Sequence, residues 1–335
     1  MTTAEILSAL PQLATLVVGD ICLDCWCTYD PSAAEPSRET GIPRTAVVSV
    51  EVTPGAGGTV ANNLAALGVG RVAVLGAIGD DGHGDELSRA LSRRGIDSGL
   101  CIRSDHIQTF TYTKLINRST GIEDQPRIDF INVHPIPAAV ERLILDRLQQ
   151  TIDAFDVILV SDQAETSQGG VVTPALRKLL ADLALNYPEK VILADSRTRI
   201  GQFRNLIIKP NQREAETACR SLLGRLDYAE LRRQVQAPLM IVTHGRHGVL
   251  LLDGRGETWV KTNPVDNPVD ICGAGDSFAA GTAVALRVTR DPAVASRFGN
   301  RVAGITIMKK GTGTASPAEI QEAELENCFG MDPPQ

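Results

Sequence analysis

The chain has 335 residues, 43% hydrophobic, 22% charged and 4% aromatic, with a formal net charge of −7. Such a composition belongs to a globular protein with length for a large core, and the negative balance gives no support to a nucleic-acid or acidic-membrane partner. No apolar run approaches the ~18–20 residues that span a bilayer. Met1 to Gln12 lacks the basic start and apolar core of a signal peptide, and seven cysteines, an odd count, suit a reducing cytoplasm.

Taken in order, Leu16-Val17-Val18-Gly19-Asp20 reads as a first buried strand. Residues 25 to 46 break the pattern with Pro31, Pro36, Gly41 and Pro43, and Val47 to Val52 resumes as a strand, so 24–53 is expected to form an excursion from the core. Pro54-Gly55-Ala56-Gly57-Gly58 reads as a Gly-rich loop opening a small-residue helix that ends at Gly68. A strand at Arg71–Gly76 and a helix at about 82–94 follow. Residues 100–132 are β-rich, notably Phe110 to Asn117. Regular alternation then returns: strands at 157–162, 191–195 and 206–209, helices at about 137–150, 172–186 and 211–223, strands at 240–243 and 249–252, and helix beyond 276 to about 325. Asp20, Asp162, Asp195, Asn211 and Thr243 all stand at or just past strand ends, where an open parallel sheet binds its ligands.

The stretch Asp270 to Phe278 carries the clearest chemical signal. Gly273 and Gly275 permit a tight turn, and an apolar helix follows from Phe278. A Gly-rich turn entering a helix leaves backbone N–H groups unpaired, which with the helix dipole make an anion site. Asp276 in that turn is either a favourable first-turn charge or a general base beside a phosphate. There is no G-x-x-x-x-G-K-[ST], no G-x-G-x-x-G in the first βα turn and no G-x-S-x-G. Cys22, Cys25 and Cys27 are closely spaced, but the second ligand pair of a structural zinc site is missing.

With two Gly-rich stretches, an acid at the second and a β-rich flap, the chain resembles the ribokinase (PfkB-type) family of carbohydrate kinases over about residues 14–325. Gly273-Ala274-Gly275-Asp276 is similar to that family's C-terminal signature, and Gly55 onward to its N-terminal one. Ile271, Cys272 and Thr59 depart from the usual residues, Thr59 standing where an Asn is expected. Within the family, Val17 to Asp24, Thr113-Lys114-Leu115, Arg127 to Phe130, Ser161-Asp162 and Lys209 to Glu214 resemble the heptose-7-phosphate kinases, while Gln163 to Gly170 does not; no H-x-G-H nucleotidyltransferase motif occurs, so the kinase portion alone is expected.

The resemblance implies a three-layer α/β/α sandwich with a mostly parallel central sheet and a small β-rich lid from about 24–53 and 100–132. It implies ATP-dependent phosphorylation of a sugar hydroxyl. Asp276 would be the base, with Gly273, Ala274 and Gly275 as anion hole. Asp24, Gly55, Gly57, Thr59, Lys114 and Arg118 would meet the sugar or its phosphate; Lys209, Asn211, Thr243, Gly245 and Asn300 the nucleotide. Asn211 and Glu214 would position Mg2+ through water. Read on its own residues, Glu214 is rather a capping partner of Asn211. A monovalent cation is an optional further requirement. Free lid edges imply a homodimer through the lids. Two alternatives stand beside the sugar kinase: a nucleoside kinase of the same fold, and a non-catalytic sugar-binding protein.

Overall fold

The computed structural model describes residues 1–164, 166 and 168–329. The strands are β1 (Ala14–Gly19), β2 (Ile21–Tyr29), β3 (Val47–Ala56), β4 (Arg71–Leu75), β5 (Ala77–Gly79), β6 (Ile102–Ser104), β7 (Thr111–Asn117), β8 (Ile128–Phe130), β9 (Val157–Asp162), β10 (Val191–Ser196), β11 (Ile207–Ile208), β12 (Met240–Thr243), β13 (Val249–Asp253) and β14 (Gly256–Val260). The helices are α1 (Thr3–Ala9), α2 (Gly57–Ala66), α3 (Gly82–Ser92), α4 (Ala138–Thr151), α5 (Pro174–Asn186), α6 (Gln212–Leu223), α7 (Tyr228–Gln234), α8 (Ala274–Thr289), α9 (Pro292–Thr306) and α10 (Pro317–Phe329).

Eight strands form one sheet in the order β14-β13-β12-β11-β10-β9-β1-β4. Pairing is parallel from β4 to β12 and antiparallel at β12–β13 and β13–β14. Alternation along each strand divides the core. Val17, Leu159, Leu193 and Ile241 point to one face, covered by α1, α2, α8 and α9. Leu16, Val18, Ile158 and Ile192 point to the other, covered by α4 to α7. Near-continuous apolar runs are what a parallel sheet buried on both faces requires. The expected α/β/α architecture is therefore present.

A second sheet, β3-β2-β7-β8, stands apart from the first. Strand β2 pairs antiparallel with β3 and parallel with β7, and β7 antiparallel with β8. Three sequence expectations are corrected here. The break expected from residue 25 begins later, because β2 runs unbroken through Cys22, Asp24 and Cys27 to Tyr29. The expected loop at Pro54–Gly58 is absent: β3 continues to Ala56, whose φ of 51° turns the chain directly into α2. Pro54 is tolerated because β3 is an edge strand. Strand β6, expected in the lid, pairs with β5 instead. Helices α1 and α7 and strand β14 were not expected at all; β14 is mostly exposed and shows no apolar alternation. Of the divergent segment Gln163 to Gly170, Glu165 and Ser167 lie outside the described residues. No helix among the described residues is long and apolar enough to cross a membrane.

Candidate active site

Three charges gather where the carboxyl ends of β10 and β11 meet the start of α8. Asp195 is the penultimate residue of β10, Lys209 follows β11, and Asp276 lies in the first turn of α8. Lys209 is buried, with its Nζ 2.8 Å from Asp195 Oδ2. Burial opposes its charge, but Asp195 foremost, then Glu214 and Asp276, outweigh that and hold the ammonium above its usual range. Burial and then Asp195 push the Asp276 carboxyl up to about 7, with Lys209 and Arg197 pulling the other way. A carboxylate poised near neutrality is what a general base at cellular pH needs.

The turn before Asp276 is built from two ties. Asp270 Oδ1 accepts from Cys272 N at 2.9 Å and Oδ2 from Gly311 N at 3.1 Å. Gly273 caps α8 with φ of 77°, and a Cβ there would lie 3.3 Å from Thr312 and 3.4 Å from Thr59, so a side chain would be both strained and crowded. The Ala274 N–H, expected to face an anion, is spent on Ile271 O at 3.2 Å. The helix start still leaves first-turn N–H groups beyond the reach of intrahelical acceptors.

Two cavities flank this turn. One, of about 150 Å3, is lined by Asp24, Trp26, Thr59, Tyr112, Lys114, Arg127, Gln163, Arg197, Gly273 and Asp276. Register explains its upper wall. Asp24 lies opposite Tyr112 and Trp26 opposite Lys114, and Tyr112 in turn opposite Asp129. Side chains two apart share a face, so Asp24, Trp26, Tyr112, Lys114 and Arg127 project together, while Cys25, which also borders the cavity, and Cys27 pack against the core. Arg127 stacks 5.0 Å from the centre of the Tyr112 ring and bonds Asp129 at 2.7 Å. Lys114 lies 3.8 Å from Glu123. Arg197 Nε donates to Gln163 Oε1 at 2.8 Å. Burial lifts Asp24 to about 6, against the pull of Lys114, Arg127 and Arg197.

The other cavity, of about 500 Å3, is lined by Thr243, Gly245, Asn300, Phe278, Ala274 and Gly275 among others. Asn300 Nδ2 is buried there without a protein partner, a donor awaiting an acceptor. The Gly273–Gly275 turn borders this cavity through Ala274 and Gly275.

Most expected site residues are thus assembled, but not all as expected. Gly55 does not line the cavity; it supports it, since a Cβ there would lie 2.4 Å from Asp24 Oδ1. Gly57 opens α2 with its N–H on Asp20 O at 2.9 Å. Arg118 lies beyond the end of β7, exposed and paired to Asp30 at 3.0 Å, and is not brought to the cavity. Asn211 and Glu214 form a reciprocal capping box: Asn211 Oδ1 accepts from Glu214 N at 2.9 Å, and Glu214 Oε2 from Asn211 N at 2.8 Å. Burial first, then Asp195, raises the Glu214 carboxyl. Among the described residues no cluster of three His, Cys, Asp or Glu could cage a metal. A Mg2+ ion held mostly by phosphates and water would need no such cage, and Glu214 and Asp195 would be the carboxylates available to it. Arg127, Arg197 and Gln163 were missed as site residues.

The family model described as pfkB family carbohydrate kinase matches residues 15–319. A curated relative, bifunctional protein HldE from Trichlorobacter lovleyi, is 32% identical over 318 residues, covering 92% of this chain. The chain spans 62% of that relative's own length. Among solved structures, ribokinase from Thermotoga maritima superposes with a TM-score of 0.70 at 23% identity, covering 94% of this chain and 100% of that one. Phosphofructokinase-2 from Escherichia coli, solved in complex with potassium, gives 0.70 at 18% identity, covering 94% and 99%. At those identities the likeness is one of fold.

Proposed function

Because the chain belongs to the pfkB family of carbohydrate kinases, we propose that it transfers the γ-phosphoryl group of ATP to a hydroxyl of a sugar phosphate resembling heptose 7-phosphate. One observation carries this reading. The Gly273–Gly275 turn is the partition between the two cavities, with Gly273 and Asp276 on the small one and Ala274 and Gly275 on the large one. A phosphoryl group crossing that partition would pass from nucleotide to acceptor beside the only carboxyl of the α8 first turn.

Asp276 would hold the acceptor hydroxyl and take its proton as the oxygen attacks, a contribution of ~10²–10⁴-fold for a general base. Backbone N–H groups at the α8 start, with the helix dipole, would meet the charge on the phosphoryl oxygens. ATP would lie along Thr243, Gly245 and Asn300, and its Mg2+ would neutralise phosphate charge when bound. Lys114, Arg127 and Arg197 line a cavity of about 150 Å3, Lys114 and Arg127 each already beside a carboxylate, Glu123 and Asp129. A phosphate on the acceptor would be met by these side chains. The β2–β3–β7–β8 sheet roofs the cavity and would keep water from the γ-phosphate.

The same sheet supports a homodimer. Strand β3 is its edge, and Val47, Val48 and Val50 are exposed on it. An apolar edge strand is a pairing surface, covered in native proteins by a partner or by charge.

ATP consumption measured across sugars, sugar phosphates and nucleosides tests the reading. Turnover confined to sugar phosphates is expected. Turnover of nucleosides alone, or sugar binding with no turnover of any acceptor, would replace it.

A further inference from the structure

We infer that Asp20 is a positioning residue for the phosphoryl acceptor: its carboxylate holds the backbone of Gln163, Ala164 and Val171, and so fixes the Gln163–Arg197 pair in the cavity wall. The inference rests on the reading that the small cavity takes the acceptor.

Asp20 lies just beyond β1, is 1% exposed and lines neither cavity described above. Its Oδ2 accepts from Gln163 N at 2.8 Å and Ala164 N at 2.9 Å, and its Oδ1 from Val171 N at 2.7 Å. Its own carbonyl accepts from Gly57 N at 2.9 Å, so one residue ties the start of α2 to the chain leaving β9. Among the described residues no cation is paired with it. Burying a carboxylate without a counter-ion is costly unless its oxygens are satisfied by fixed donors. Three converging N–H groups satisfy them here, and they do so only while the backbone at Gln163, Ala164 and Val171 keeps these positions. Gly170 shows how close the fit is: its φ is 93°, and a Cβ there would lie 2.5 Å from Ala164 Cβ and 3.1 Å from Asp20 Oδ1.

The consequence reaches the cavity through one side chain. Gln163 is held by its backbone to Asp20 and by its Oε1 to Arg197 Nε at 2.8 Å, and both Gln163 and Arg197 line the cavity. Gln163 Oε1 thus holds one edge of the Arg197 guanidinium, and the planar fork passes that constraint to the rest of the group. If the 163 backbone is released, Gln163 leaves its place in the cavity wall and Arg197 loses that anchor, while the larger cavity, built from other elements, is untouched.

The test is Asp20→Asn, which offers one carbonyl oxygen to donors that need two and turns an NH2 group toward at least one of them. With a heptose 7-phosphate as acceptor, KM for the acceptor should rise about tenfold or more, with kcat and KM for ATP little changed. Hydrogen exchange at the 163, 164 and 171 amides should accelerate while β10 and α8 keep their protection. Gln163→Leu, which leaves the three donors in place, should raise the same KM without changing that exchange. The double variant should be no worse than Asp20→Asn alone, because the two changes break one connection. If Asp20→Asn does not accumulate as folded protein, Gly170→Ala disturbs the same anchor from outside the carboxylate and must give the same acceptor-selective effect. Unchanged acceptor KM, equal loss toward both substrates, or additive effects in the double variant would overturn the inference. Failure of the underlying kinase reading shows elsewhere, in a wild-type protein that turns over no sugar phosphate.

Discussion

Lys209 Nζ stands 2.8 Å from Asp195 Oδ2 at the ends of two neighbouring parallel strands, and Asp276 is the third charge of the group. Burial first of all lifts the Asp276 carboxyl; Asp195 raises it further and Lys209 lowers it, and the net value is about 7. As base, Asp276 must be ionised, so turnover should fall as pH drops through about 7. Lys209→Met removes the lowering charge and should move that acid limb to higher pH, which a pH–rate profile of both proteins reads. A limb that stays in place would detach Lys209 from the titration.

The same raised carboxyls affect stability. Asp20 and Asp24 are lifted to about 6 and Asp276 to about 7, from an ordinary value of 3.8. Between those values the native chain binds more protons than the unfolded one, so the stability from these groups is full below about pH 4 and is lost as pH rises through about 6 to 7. Asp276→Asn should therefore raise Tm at about pH 8, with the gain shrinking as pH is lowered toward 4. Thermal scans across that range check it; a gain independent of pH would contradict it.

The cations of the cavity wall should act on the phosphate of the acceptor. Arg127→Ala and Lys114→Ala should each raise KM for a sugar phosphate by about tenfold or more, as expected for loss of a charge-assisted bond. Neither should matter for an unphosphorylated sugar. Arg118→Ala, which removes only the pair with Asp30, should leave KM unchanged. Steady-state kinetics of the three variants separates them.

The exposed valines of β3 make the lid edge a dimer surface in the proposed reading. Val50→Lys places a charge at its centre and should convert the protein to monomer in sedimentation or light scattering, without unfolding it. A wild-type protein that is already monomeric would remove the dimer.

Much of the core was legible because a parallel sheet buried on both faces writes itself as unbroken apolar runs: β1, β9, β10 and β12 all did. Gly273 to Asp276 was legible for the same local reason, a turn and a helix start adjacent in sequence. The lid was less so. Strand β2 carries Asp24 and Trp26 on a cavity face and Cys25 and Cys27 on the other, a pattern without the polar–apolar alternation that marks a surface strand. Arg127 had a readable signal, since a strand pairing back on Lys114 places it on the same face. Arg197 had none: it meets Gln163 only because β10 lies beside β9 in the sheet. Glu214 shows the limit of a motif. Its spacing from Asn211 serves a capping box as well as a metal, and the box is what the structure contains.

The most direct test of the phosphoryl-transfer centre is turnover of a heptose 7-phosphate by Asp276→Asn, measured alongside ATP binding. The predicted result is unchanged nucleotide affinity with turnover reduced at least ~100-fold, the low end of a general base's contribution. Near-normal turnover by that variant would contradict it and remove Asp276 from the reaction.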